Sequence, residues 1–89
     1  MREIIIKTAS QQDLEDILKL QKECYQSEAK LYDDYGIQPL TQDLESITKE
    51  FQQMIFLKAV IGDAIVGSVR GFLENDTCFV GKLIVDENL

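Results

Sequence analysis

Histidine is absent from the 89 residues. Without imidazole there is no Ser-His-Asp or Cys-His nucleophilic machinery, no histidine-based zinc site and no imidazole acid–base chemistry. Cysteine is nearly as scarce. Cys24 and Cys78 stand far apart and form no CxxC pair, and two thiols alone cannot hold a structural zinc, so no metal site is expected. Each lies in an apolar pattern, which predicts buried free thiols in a reducing, cytoplasmic setting rather than a Cys24–Cys78 disulfide. No apolar run approaches the ~18 residues of a membrane helix, and Met1 to Ser10 lacks the long apolar stretch and cleavage site of a secretory signal. Basic residues are outnumbered, 9 against 16 acidic, for a net charge of −7. Such a chain is repelled by phosphate backbones and anionic bilayers, so neither nucleic acid nor membrane is an expected partner. The same field would draw in cationic small molecules or basic peptides, although a net charge also serves simply to keep a protein soluble.

What remains is an ordinary globular balance, with 45% apolar and 28% charged residues. The length allows one domain, here residues 1–89. A chain of this mass can bury roughly 64% of its unfolded surface, which gives a thin core. Nothing is repetitive, and no linker divides the chain.

The β-branched run Ile4, Ile5, Ile6 predicts a strand over Glu3 to Thr8. Ser10 with Asp13 three residues on is a capping signal. The helix it opens buries Leu14, Ile17, Leu18, Gln21 and Cys24 or Tyr25 at helical spacing. Gln26 to Leu40 reads as irregular, broken by Gly36 and Pro39, with a short helical extension through Leu31. Thr41 is expected to cap a second helix carrying Leu44, Ile47, Phe51 and Met54. Three strands follow: Ile55 to Ile61, Ala64 to Leu73 and Cys78 to Val85. A Gly62-Asp63 turn and a polar Glu74-to-Thr77 turn join them into a meander. The fold class is α+β in the order β-α-α-β-β-β, a mostly antiparallel sheet with two helices.

Three segments in this order resemble the GNAT superfamily of acetyl-CoA-dependent N-acetyltransferases: the opening IIIKTASQQDLEDILKL, the hairpin FLKAVIGDAIVGSVRGFL, and the ending GKLIVDENL. The resemblance covers the N-terminal half of that domain. In the family, a Gln/Arg-x-x-Gly-x-Gly/Ala loop comes next and holds the coenzyme A pyrophosphate on backbone N–H groups and a helix end. This chain has no Gly-x-Gly. The resemblance therefore implies acetyl transfer from acetyl-CoA to a primary amine by a complete domain, with weak or no cofactor binding and no activity for this chain alone.

The resemblance also assigns site residues. The backbone of Leu83, Ile84 and Val85 would pair with the pantetheine arm and the acetyl carbonyl like an added strand. From the strand pattern alone, Leu83 and Val85 face the core, and both readings can hold because backbone and side chains point in different directions. The acceptor amine would approach beside the helix–helix connection, where Tyr32, Asp33, Asp34 and Tyr35 offer two carboxylates and two rings. The plainer reading is a polar loop with partly buried tyrosines. No catalytic residue is assigned. The position around Phe79, where some family members carry a glutamate, is not acidic, and Glu74 and Asp76 read as a solvated turn.

Two helices suffice for one sheet face. The opposite face is expected to stay open, with Phe56, Val60, Val66 and Phe72 on it, joined by Val80 and Ile84 or by Phe79 and Leu83. The edge strand CFVGKLIV is a template for strand pairing. A homo-oligomer follows, most simply a two-fold dimer, or else a chain supplying the missing C-terminal half. Two further readings stand beside the enzyme lineage: a non-catalytic acetyltransferase-like dimerisation or binding module, and an unrelated interaction domain with the same element order.

Overall fold

The structure is a computed structural model and describes residues 3–86. Four strands form one antiparallel sheet: β1 (Ile5–Thr8), β2 (Ile55–Ile61), β3 (Ala64–Glu74) and β4 (Thr77–Val85), side by side in chain order. Between β1 and β2 the chain forms α1 (Leu14–Tyr32), a short α2 (Gln38–Thr41) and α3 (Leu44–Gln53). The α+β architecture with an antiparallel meander is thus the one the sequence predicts.

Local chemistry explains the boundaries. The Ser10 N–H donates to Asp13 Oδ2 at 2.8 Å, and the first turn, Gln11–Asp13, is a 3₁₀ turn that runs into α1. Helix α1 ends where Asp33 adopts a left-handed conformation, φ 52°, and its N–H returns to the Ala29 carbonyl. Gly62, at φ 61°, supplies the positive dihedral of the β2–β3 turn. Asn75 and Asp76, at φ 51° and 64°, do the same between β3 and β4. Both turns fall where the residue types place them.

Two local expectations need correction. Thr41 does not cap the second long helix. It closes α2, and Asp43 is the cap, accepting from the Ser46 N–H at 2.8 Å. The segment predicted as irregular contains α2 because Pro39 lies in its first turn, where a missing N–H costs nothing.

The helices cover one face of the sheet. Leu14, Ile17 and Leu20 of α1 meet Ile47 of α3, Phe56 of β2 and Ile84 of β4 in a single core. Of the stripe expected on α1, Leu14, Ile17 and Gln21 are fully buried, while Leu18, Cys24 and Tyr25 are partly so.

The assignment of sheet faces is the reverse of the sequence expectation. Phe56, Val60, Val66 and Ile84 are buried, and Phe56 and Ile84 pack in the core beneath the helices. Residues of the alternate set, Ile6, Leu57, Ala59, Val69, Leu83 and Val85, line a shallow apolar hollow of about 210 Å³ on the other side. Strand alternation separates the two sets without saying which one the helices cover. Here the covered set includes Lys58, Ser68 and Arg70, whose polarity favours the wrong choice.

Leu83 and Val85 therefore do not face the core, being 70% and 53% exposed, whereas Ile84 between them is 2% exposed. The chain exposes 6400 Å², against roughly 5,300 Å² for a compact domain of its mass. Cys24 and Cys78 are free thiols as expected, but Cys78 is exposed, since β3 and β4 run out past the helices there.

Candidate functional site

Beneath the helices lies a polar cluster that the sequence reading did not identify. Arg70, projecting from β3, is 2% exposed. Its Nη1 is ion-paired with Glu50 Oε2 of α3, and its Nη2 donates to Gln21 Oε1 of α1 at 2.6 Å. The guanidinium lies over the Phe56 ring, 4.5 Å from the centroid. Gln42, between α2 and α3, donates to Glu50 Oε2 at 2.8 Å, and the Gln21 amide donates to Gln42 Oε1 at 2.9 Å. Lys82 of β4 completes the set, with Nζ 3.1 Å from Glu50 Oε1. The Arg70 Nε meets no hydrogen-bond partner among the described residues. One carboxylate thus holds two cations from neighbouring strands, and glutamines from two other segments bond to the carboxylate and to the guanidinium Nη groups. The arrangement fixes the helices to the β3–β4 hairpin.

Burial opposes ionisation of Glu50. The hydrogen bonds from Gln42 and Lys82 and the charges of Arg70 and Lys82 outweigh it, holding the carboxyl below its ordinary range. Burial also pulls the Arg70 guanidinium down, against the opposing pull of Glu50. Asp13 behaves like Glu50. Burial raises its pKa, but the hydrogen bonds from Lys58, 2.7 Å away, and from Ser10 bring it below its ordinary value.

The sign of the pH effect follows. Both carboxyls bind protons less readily folded than unfolded, so their contribution is complete above the ordinary values of 4.5 and 3.8 and disappears as pH falls through the lower folded values. The thermal midpoint should hold level down to about pH 5 and then fall. A Glu50→Gln variant should show a shallower fall in the same scan.

The second feature is the outer end of β4. A cleft of about 290 Å³ separates it from α1, lined by Cys24, Tyr25 and Glu28 on the helix and by Leu83, Ile84 and Val85 on the strand. The Cys24 thiol donates to the Val85 carbonyl at 3.2 Å. β4 is the last strand of the sheet among the described residues, so its outer edge carries backbone groups with no strand partner.

The predicted cofactor residues therefore stand together at an open strand edge beside a cleft. The four predicted amine-binding residues are not in that lining. Tyr32 and Tyr35 are exposed, Asp33 is the left-handed residue that stops α1, and Asp34 Oδ1 accepts from the Gly36 N–H at 3.0 Å. Glu28, which the sequence reading passed over, is the carboxylate in the cleft lining. It precedes Tyr32 by one helical turn and so shares its face of α1. That i, i+4 relation was the available signal.

No group of three or more potential metal ligands occurs among the described residues. No helix among them is long and apolar enough to cross a membrane.

Comparison with solved structures places the fold. The chain is similar to the crystal structure of a candidate acetyltransferase from Pyrococcus horikoshii, with a TM-score of 0.67 and 20% identity. The match covers 99% of this chain and 29% of that one. At that identity the likeness is one of fold, and the fold is acetyltransferase-like. No protein-family model and no curated protein matches the sequence.

Proposed function

We propose that this chain forms the front portion of a GNAT-type N-acetyltransferase domain, which transfers acetyl from acetyl-CoA to a primary amine. The observation that carries the reading is the open edge of β4 at Leu83–Val85, lying against the α1 cleft within an acetyltransferase-like fold. An unpaired strand edge can receive an extended amide-bearing arm by backbone hydrogen bonds, as it would receive another strand. The pantetheine portion of the cofactor is such an arm, and its thioester supplies an activated acyl group. Backbone N–H groups of the same edge would orient the carbonyl and stabilise the developing oxyanion. Glu28 would draw the cationic acceptor to the cleft, and Tyr32, Asp33, Asp34 and Tyr35 would extend that acidic approach. In the transfer, the acceptor would first lose one proton to solvent. The neutral amine nitrogen would then bond to the carbonyl carbon, the carbon–sulfur bond would break, and the second proton of the nitrogen would pass to the departing sulfur, releasing the thiol.

The residues fit only part of the cofactor. With no Gly-x-Gly in the sequence, no glycine-rich cradle meets the pyrophosphate. Calorimetry should therefore find weak, millimolar binding, similar for acetyl-CoA and for S-acetylpantetheine. No heat from either ligand would reject the reading, as would micromolar binding of acetyl-CoA alone.

The exposed Cys78 thiol suits a reducing compartment, and we place the protein in the cytoplasm. For the bare sheet face we propose a second copy of this chain, packed face to face about a two-fold axis, which leaves the β4 edge to the cofactor arm. Sedimentation at tens of micromolar should show a dimer, and a clean monomer would contradict it.

A further inference from the structure

The β3–β4 pairing is regular except at one point. Ser68 pairs with Ile84 and Arg70 with Gly81, so Val69 alone stands opposite two residues, Lys82 and Leu83. The surplus residue makes a bulge, and Lys82 takes the left-handed conformation there, φ 49°. That location is unexpected. Gly81, immediately before it, accepts positive φ without steric cost, yet its φ is not in that region. A lysine carries the strained dihedral while a neighbouring glycine does not. The one feature that distinguishes position 82 is its side chain, which reaches back to Glu50 Oε1 on α3. Glu50 is itself fixed by Arg70 and Gln42.

We propose that the Glu50–Lys82 ion pair is a latch that fixes the bulge of β4 at Lys82 rather than Gly81, making Glu50 and Lys82 positioning residues for the Leu83–Val85 edge. The ends of the irregular stretch are held independently. Ile84 is buried in the core, and Phe79 stacks on Phe72 with ring centroids 4.9 Å apart. The surplus residue cannot leave the strand and can only migrate between them. Its position decides which backbone groups after Val80 turn toward β3 and which toward the free edge, because those groups alternate along a strand. The consequence for the cofactor arm rests on the acetyltransferase reading, whereas the latch itself does not.

The test uses the isotopically labelled full chain. In Lys82→Met the cross-strand contact between Val69 and position 82 should disappear and be replaced by one between Arg70 and position 82, beside the retained Gly81, while the contact between Ser68 and Ile84 persists. The amide shifts that S-acetylpantetheine induces at Leu83–Val85 should be lost with it. The double variant Gly81→Ala/Lys82→Met should restore both, because alanine makes the left-handed alternative at 81 costly and its Cβ meets nothing within 4 Å. General loss of stability would not produce that rescue. Retention of the contact between Val69 and position 82 in Lys82→Met overturns the latch, and so does failure of the double variant to recover it. If the contact migrates as stated but the unaltered chain shows no response to S-acetylpantetheine, the latch stands and the cofactor reading fails.

Discussion

Glu50→Ala is expected to cost the fold about 3 kcal/mol, the low end of the range for removing one partner of a buried ion pair, because the Glu50 side chain is itself 29% exposed. The loss arises at Arg70, whose side chain is 1% exposed and cannot move to water when its counter-ion is lost. Lys82, at 20% side-chain exposure, is closer to solvent and adds less to the loss. Gln21 and Gln42 can still accept from the guanidinium, but neither carries charge. Urea unfolding measures the effect directly as a lower midpoint with an unchanged slope. The double variant Glu50→Met/Arg70→Met should be less damaged than Glu50→Ala alone, since it leaves no guanidinium unpaired in the core and only Lys82, which is closer to solvent, loses its counter-ion. A Glu50→Ala chain within about 0.5 kcal/mol of the original would mean that Arg70 is not held in this way.

Phe56→Ala should be of similar size, about 3–5 kcal/mol. Phe56 is 1% exposed and lies where the apolar core meets the polar cluster. It meets Phe51 of α3 in a T-shaped contact with centroids 5.5 Å apart, and its face receives the Arg70 guanidinium. Truncation leaves a void between α3 and β2 and removes the ring from beneath the cation, so the apolar and electrostatic losses fall on one site. Leucine at this position keeps much of the buried volume and should recover most of the stability. If Phe56→Leu were as damaging as Phe56→Ala, the ring's interaction with Arg70 would outweigh its volume.

Most of the fold was legible because its signals are local. Helical spacing from Leu14 to Gln21, the Ser10–Asp13 cap and the Gly62 turn each depend on neighbours in sequence. The exceptions share one cause. Arg70 reads as the polar member of an alternating strand, so the pattern directs it to solvent. Its partners, Gln21, Gln42 and Glu50, lie 49, 28 and 20 residues away. No local pattern announces a cluster assembled over such separations, and missing it also inverted the sheet faces. A guanidinium standing amid Val66, Val69 and Phe72 was the only trace. The candidate site divides the same way. The strand edge at Leu83–Val85 could be located from the order of segments, whereas Glu28 and Cys24 enter the cleft only once α1 packs against β4.

The most direct test of the central claim is the set of intermolecular nuclear Overhauser contacts between S-acetylpantetheine and the labelled chain. The account predicts contacts from the pantetheine protons to the amides of Leu83 and Val85, which flank the inward-turned amide of Ile84, with the acetyl methyl near Cys24 and Glu28. Contacts confined to the apolar hollow of the opposite face, or none at millimolar ligand, would contradict it.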